Sequence, residues 1–214
     1  MRRKMQKVDD SPQLNPVVCL ETSQVDVLAT VLSRVFHNEP SFVYVMPDEE
    51  IRRTVSPWFF RSAIHASLRY GEIRTTEAAD AAALWISPEH DLTFGRMVRT
   101  GMIETPFKLG WSTFRNGTKL GSSVDEIRKR LAAGPHWYLM ALGVEPTRHD
   151  REIGEVLIEP VLSRADSKRM SCYTETFNEK RLGFYMEYGF HIIGAGKIPG
   201  GGPQFWAMTR LPRG

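Results

Sequence analysis

A polar turn between two apolar segments is the part of this sequence whose spacing most directly suggests chemistry. The run from Trp137 to Val144 predicts a strand buried on both faces. Apolar residues then recur at helical spacing from Ile153 to Ala165. A turn that enters a helix presents unpaired backbone N–H groups and the positive end of the helix dipole. The segment 148–154 is therefore predicted to bind a phosphate-bearing ligand, although every strand-to-helix turn offers some of this signal.

The segments after the turn predict one more strand and one more helix. Cys172 to Thr176 is expected to form a strand after the helix, so the unit should be a parallel, right-handed crossover. Glu179 to Tyr188 predicts another helix, which Gly189 should end as a glycine cap. Phe190 is then placed for the apolar contact that accompanies such a cap.

The remaining chain predicts further strands and helices around this unit. Apolar residues at Leu28, Val31, Leu32, Val35 and Phe36 mark one face of a helix. The segment 91–133 mixes apolar residues with glycines and predicts short helices and loops, which are the best candidates for recognising a second substrate. The sequence thus predicts an α/β fold. The other expected elements are a helix over Asp48–Tyr70 and strands over Val17–Leu20, Glu72–Thr76, Ala82–Ile86, His191–Ala195 and Gln204–Arg210.

Length and composition limit the classes of protein that are expected. Of the 214 residues, 1–16 predict a flexible polar arm and 17–214 a single domain. The 28 basic residues are scattered among 25 acidic ones for a net charge of +3, which argues against a nucleic-acid partner. The sequence contains no apolar run long enough to span a membrane. Cys19 and Cys172 match no metal-binding spacing and are predicted to be buried, reduced thiols of a cytoplasmic protein.

Two passages resemble a known family. HWYLMALGVEPTRHDREIGEVLIEPVL, followed by CYTETFNEKRLGFYMEYGF, resembles the paired acetyl-CoA motifs of the GNAT superfamily of N-acetyltransferases. More narrowly, the C-terminal half is similar to the branch that contains puromycin N-acetyltransferase. The resemblance implies the GNAT fold, in which a central mixed sheet is flanked by helices. It also implies acetyl-CoA as co-substrate and transfer of its acetyl group to the amine of a small molecule by direct attack. It specifies no oligomeric state.

The resemblance also implies which residues hold acetyl-CoA. The strand end at Leu142, Gly143 and Val144 would pair its backbone with the pantetheine arm. Asn178 and Tyr185 would contact the cofactor from the next helix. The pyrophosphate would be held by backbone N–H groups of the turn, which consists of His149, Asp150, Arg151, Glu152, Ile153 and Gly154.

Catalytic roles follow from the same resemblance and from the chemistry of the reaction. Tyr185 matches a tyrosine that protonates the departing thiolate, and a phenol has a pKa suited to that transfer. Glu175 is a candidate general base if its side chain faces the cleft; the alternative is a solvated strand carboxylate. His136 and Glu145 are weaker candidates for the base.

Two residues depart from the family pattern and leave other functions open. Glu152 stands where the phosphate turn usually has glycine, and its charge beside a pyrophosphate would cost on the order of 1 to 3 kcal/mol. Arg181 replaces a frequent asparagine. These departures support a second hypothesis, a GNAT-fold binding or interaction module with weakened catalysis. A third hypothesis is an acetyltransferase acting on protein lysines or N-termini.

Overall fold

In the computed structural model, a seven-stranded mixed sheet organises the chain. The structure describes residues 17–93, 95–97, 105–148 and 151–213, with the backbone alone for 105–109 and 151. The predicted arm at 1–16 lies outside the described residues. The strand order is β1-β2-β3-β4-β5-β7-β6. The strands are β1 Val17–Cys19, β2 Gly71–Thr76, β3 Ala81–Ile86, β4 His136–Val144, β5 Ser171–Thr176, β6 His191–Lys197 and β7 Gln204–Arg210.

Six α-helices with described bounds, a helical segment at 95–97 and two 3-10 turns accompany the sheet. The 3-10 turns are Thr22–Gln24 and Glu179–Arg181. Among the described residues, no helix has the length and apolar character needed to cross a membrane. The helices are α1 Val25–Val35, α2 Pro40–Val45, α3 Glu49–Tyr70, α4 Thr105–Leu131, α5 Arg151–Ser167 and α6 Leu182–Glu187.

The predicted α/β class and the parallel crossover are confirmed. β4 and β5 are parallel, and every other neighbouring pair in the sheet is antiparallel. The helix predicted from Asp48 begins at Glu49, where the Asp48 side chain accepts the Ile51 N–H at 2.9 Å. Pro57 lies inside this helix without dividing it.

Three expectations from the sequence were wrong. The region 91–133 contains one long helix, α4, rather than only short ones, although Gly110 interrupts it with a left-handed φ of 71°. The helix expected over Glu179–Tyr188 is divided into a 3-10 turn and α6. Cys172 is fully buried, and burial raises its thiol pKa to about 12, but Cys19 on the outermost strand is exposed.

The two faces of the sheet pack against different helices. In β3, Ala82, Leu84 and Ile86 face a core formed with α1 and α3. The alternating residues Ala81, Ala83 and Trp85 face a second core, which α5 and Tyr185 complete. Both cores are closely packed, and they fix the position of β4 between α1 and α5.

The pairing between β4 and β5 is short. It runs from His136 opposite Ser171 to Leu139 opposite Thr174 and ends there. β4 nevertheless continues to Val144 and stays paired with β3 as far as Ala81. The two strands therefore diverge beyond Leu139, and the β5-facing edge of β4 is free of strand pairing over 140–144.

Candidate active site

The divergence of β4 from β5 creates a notch at the centre of the sheet. Leu142 and Val144 lie on its β4 side. Gly143 has a packing role: a Cβ atom there would lie 2.8 Å from Leu32 Cδ2 and 3.1 Å from Val35 Cγ1. Glycine thus lets α1 approach β4 closely.

The turn after β4 leads into α5, which begins at Arg151. His149 and Asp150 lie outside the described residues, and only the backbone of Arg151 is described. Ile153 is buried, and Gly154 lies against Phe184, whose ring atoms would be 3.2 Å from an added Cβ. The Glu152 side chain is exposed, so water screens its charge more than a buried position would allow.

Two ion pairs hold the ends of this turn. Arg148 pairs with Asp80, and Arg34 pairs with Glu145. Burial opposes ionisation of Asp80, yet hydrogen bonds from Thr76 and Arg148 bring its pKa below the usual range. Because Glu145 is held by Arg34 and does not line the cavity described below, the structure gives it no access to an acceptor there.

His136 also lies away from that cavity. Its Nδ1 is 2.9 Å from the carbonyl oxygen of Gly134. Burial lowers its pKa, which the backbone contact partly offsets. The geometry is that of a structural histidine at the start of β4.

Tyr185 is positioned by the end of α6. The N–H of Gly189 donates to the carbonyl of Met186 at 3.0 Å, and the N–H of Phe190 donates to that of Tyr185 at 3.0 Å. This is the Schellman pattern, and Gly189 has the required positive φ of 87°. The predicted contact is present, since the rings of Phe190 and Tyr185 lie 5.8 Å apart. Tyr185 is only 4% exposed, and burial raises the pKa of its phenol.

A cavity of about 240 Å³ opens beside the notch. One wall is the sheet, where Tyr138, Leu142 and Glu175 line it, and Tyr185 of α6 lines the cavity beside them. The other walls come from α2, α3 and α4, from the segment between α1 and α2, and from the segment around Leu92. Glu175 and Tyr185, the two residues predicted to be catalytic, therefore face the same space.

Glu175 occupies an unusual environment for a carboxylate. The Tyr138 hydroxyl donates to its Oε1 at 2.6 Å, while Oε2 is buried without a hydrogen bond to the described residues. Burial raises the pKa of Glu175 to about 7, and the Tyr138 hydrogen bond and the charge of Arg128 limit that rise. This carboxyl group is thus poised to accept or release a proton near neutral pH.

Arg181 lies across the notch. Its Nη1 donates to the carbonyl of Leu142 at 2.9 Å, and its Nη2 is 3.0 Å from Oε1 of the buried Glu39. The Asn178 amide also donates to Glu39, at 3.2 Å, and the guanidinium lies 5.2 Å from the centre of the Phe36 ring. The side chain of Arg181 therefore occupies a backbone acceptor on the open edge of β4.

Sequence reasoning did not identify Tyr138 or Glu39 as site residues. A signal for Tyr138 was present, because the parallel register places it opposite Tyr173, and Glu175 follows Tyr173 by two residues on the same face. Glu39 carried no such signal, because its partners lie 139 and 142 positions away in the chain.

The fold matches solved acetyltransferase structures. A protein described as histone acetyltransferase HPA2 and related acetyltransferase, from Corynebacterium glutamicum, has a TM-score of 0.63 and 18% identity over 94% of this chain and 97% of that one. Arylalkylamine N-acetyltransferase 2 from Aedes aegypti has a TM-score of 0.59 and 11% identity, covering 92% and 99%. The C-terminal condensation domain of Ebony, solved with β-alanyl-dopamine, has a TM-score of 0.63 and 9% identity, covering 92% and 98%.

These likenesses define the class of fold as that of the GNAT acyltransferases. No family profile matches the sequence. Among curated proteins, a probable serine/threonine-protein kinase of Dictyostelium discoideum is 24% identical over 200 residues, which cover 84% of this chain. The chain spans about a fifth of that relative's length, since the match covers 21% of it.

Proposed function

We propose that this chain is an acetyl-CoA-dependent N-acetyltransferase that acts on the amine of a small molecule. The observation that carries the proposal is the notch between β4 and β5, which opens directly onto a cavity containing Glu175 and Tyr185. Both acetyltransferase structures named above share this fold, which supports the same reading. We also propose that the chain is related to the branch that contains puromycin N-acetyltransferase.

The described residues fit acetyl-CoA at two places. The open edge of β4 at Leu142 and Val144 can pair with the amides of a pantetheine arm, as an added strand would. The N-terminus of α5, including the backbone of Ile153 and Gly154, can receive a pyrophosphate. Arg181 must leave the Leu142 carbonyl before pantetheine can use it. When bound there, acetyl-CoA supplies an acetyl group activated as a thioester.

Glu175 and Tyr185 have complementary roles in the proposal. An ammonium must lose a proton before its nitrogen can attack, and Glu175, with a pKa near 7, can remove it. Because burial raises the pKa of Tyr185, its phenol stays protonated at neutral pH and can donate a proton to a leaving thiolate. The cavity keeps both groups out of bulk water, which strengthens their electrostatic effect.

One observation favours a second candidate, a binding or interaction module without turnover. Arg181 already satisfies the Leu142 carbonyl and is itself neutralised by Glu39, so the notch is closed by the chain's own residues. A module of this kind would not bind acetyl-CoA. An acetyltransferase acting on protein lysines or N-termini stays an alternative for the acceptor.

Isothermal titration with acetyl-CoA tests the proposal. Binding in the micromolar range is expected for an enzyme, because typical KM values extend from about 1 μM to 1 mM. Failure to bind at millimolar acetyl-CoA would support the module and end the enzymatic proposal. Coenzyme A without the acetyl group serves as the matched ligand, since the pantetheine and pyrophosphate contacts are common to both.

A further inference from the structure

We propose that the acceptor is a primary monoamine on an apolar, aromatic-sized body, without a second charge. This inference rests on the proposed function, because it concerns the acceptor of the same site. It follows from two properties of the cavity. Its walls are apolar, and one of its carboxylates, Glu175, forms no ion pair with the described residues.

Aromatic rings form the wall opposite the sheet. The stacked rings of Phe42 and Phe60 lie 5.2 Å apart, and Phe59 meets Phe42 edge to face at 5.3 Å. Phe114 and Leu120 from α4 line the cavity as well. Such walls favour burial of hydrocarbon or an aromatic ring and penalise a body rich in hydroxyl groups, whose hydrogen bonds to water would not be replaced.

Of the described residues lining the cavity, three are carboxylates, and two of them are paired with arginine. Glu39 lies 3.0 Å from Arg181, and Asp125 lies 3.6 Å from Arg128. Arg128 also lies 3.0 Å from the exposed Asp91. Glu175 forms no ion pair with the described residues, and its buried Oε2 has no hydrogen bond there. This oxygen is the natural partner of one incoming ammonium group.

The same pairing excludes acceptors with a second charge. A diamine would bring a second ammonium into the cavity, where Glu39 is paired with Arg181 and Asp125 with an Arg128 that it shares with Asp91. An unpaired buried charge is costly. An amino acid would bring a carboxylate, and Arg181, the basic residue among the described lining, is held by Glu39. The cavity should therefore reject both kinds of compound while accepting a monoamine of similar size.

Two matched pairs of acceptors test the inference. 2-Phenylethylamine is compared with phenylalanine, which adds a carboxylate, and hexylamine is compared with 1,6-diaminohexane, which adds an ammonium. Thiol release from acetyl-CoA gives kcat/KM for each. We expect the monoamine of each pair to be preferred by about 100-fold, because one unpaired buried charge costs several kcal/mol. Equal rates within either pair, or a preference for the doubly charged member, would overturn the inference.

Direct binding separates this inference from the proposed function. The four compounds are titrated into the protein by calorimetry without acetyl-CoA. If acetyl-CoA does not bind but the monoamines still bind more tightly than their charged partners, the enzymatic proposal fails, while the selectivity of the cavity for a monoamine ligand stands. If acetyl-CoA binds and the monoamines neither bind nor react better than their partners, the acceptor inference fails alone.

A cavity-filling variant locates the binding. A Cβ atom at Gly117 would meet Val45 Cγ1 at 3.5 Å, an ordinary contact at the cavity wall. Gly117→Leu should reduce monoamine binding at least about tenfold while acetyl-CoA affinity is unchanged, and leucine is the better helix former. The neighbouring exposed position provides the control, Thr118→Leu, which should change neither affinity. Unchanged monoamine binding in Gly117→Leu would place the acceptor elsewhere.

Discussion

Glu175 is a carboxyl group whose ionisation is set by opposing effects of its surroundings. Burial favours the neutral acid, while the Tyr138 hydroxyl and the charge of Arg128 favour the carboxylate. The balance at a pKa of about 7 allows this group to be ionised when it meets an ammonium and protonated after it has removed a proton. An exposed glutamate with its pKa near 4.3 would be a weaker base.

The pH dependence of turnover should follow this ionisation. Because the carboxylate is the active form, kcat/KM should rise by about tenfold per pH unit below pH 7 and level off above it. Glu175→Gln should lose about two orders of magnitude of kcat near pH 8, since general base catalysis contributes at least that much. Rates of thiol release from pH 5.5 to 9 measure both effects. A Glu175→Gln variant that keeps the wild-type rate would remove Glu175 from the mechanism.

Tyr185→Phe tests the proton donor. The change removes one hydroxyl and keeps the ring contacts with Phe190 and Phe184. We expect kcat to fall by about 100-fold, because the thiolate loses its proton source, while the Kd for acetyl-CoA stays within about twofold. Calorimetry and steady-state kinetics on the same preparation separate the two quantities. Wild-type kcat in the variant would contradict the role.

Arg181 is expected to compete with acetyl-CoA for the Leu142 carbonyl. Removing Arg181 alone would leave Glu39 buried without its cation, so both residues are changed together in Glu39→Gln/Arg181→Gln. The double variant should bind acetyl-CoA about tenfold more tightly, since one charge-assisted hydrogen bond no longer has to be broken. Calorimetric Kd values for both proteins provide the measurement. Weaker binding in the double variant would show that Arg181 helps to hold acetyl-CoA.

At the scale of elements, the sequence predicted a helix most clearly where the helix buries one apolar face or ends at a glycine cap. The helical face at Leu28 and Leu32 is fully buried, and the glycine cap at Gly189 has the predicted hydrogen bonds. α4 was not predicted because its glycines suggested breaks. Only Gly110 adopts a non-helical φ, whereas Gly117 stays helical and faces the cavity wall.

The charge pairing in the site could not be predicted in the same way. Arg181 and Glu39 are 142 positions apart, and their contact depends on how α2 and the 3-10 turn before α6 meet over β4. The helix or strand propensity of single residues carries no information about contacts between elements that are distant in the chain. The notch itself follows from where the parallel register ends, which the apolar pattern of β4 does not specify.

The cap at the end of α6 should affect catalysis through Tyr185. Alanine at Gly189, with φ of 87°, should cost about 1 to 2 kcal/mol of stability and disturb the two hydrogen bonds that hold the last turn. Gly201→Ala is the control for backbone strain, because Gly201 has φ of 78° in the turn between β6 and β7 and open space for an added Cβ. At Gly189 the added Cβ must also displace the end of the flexible Arg213 side chain, whose Nη2 would lie 2.5 Å away. Urea unfolding should show similar losses for both. Only Gly189→Ala should lower kcat, and equal kcat in the two variants would separate the cap from catalysis.

At the scale of the whole molecule, the pH dependence of stability due to Glu175 has the opposite sign to that due to the partly buried carboxyl groups of Glu72 and Asp166. A hydrogen bond from Arg210 brings the pKa of Asp166 below the usual range. Burial raises the pKa of Glu72, but hydrogen bonds from Arg164 and Arg74 outweigh this effect and bring it below the usual range as well. Their contribution to stability is present above the unfolded pKa and is lost as the pH falls through the folded pKa. Glu175 has a raised pKa, so its neutral form is tolerated and its ionised form is costly in the folded state.

The free energy of unfolding should therefore fall as the pH rises from about 4.5 to about 7 on account of Glu175. Glu175→Gln lacks this ionisation. Relative to wild type, the variant should gain on the order of 2 to 3 kcal/mol between pH 4.5 and pH 8. Urea unfolding at the two pH values gives the difference, with circular dichroism confirming the native fold at both. The same difference at both pH values would contradict a raised pKa.

The short pairing between β4 and β5 divides the sheet into two leaves. One leaf contains β1, β2, β3 and β4, and the other contains β5, β7 and β6. Only the four-residue seam from His136 to Leu139 hydrogen-bonds one leaf to the other within the described sheet. A ligand strand that pairs with the free edge of β4 would lengthen this seam from its open end. Its binding energy would then resist separation of the leaves, so the melting temperature should rise with ligand concentration, and the hydrogen exchange of amides along β4 and β5 should slow together.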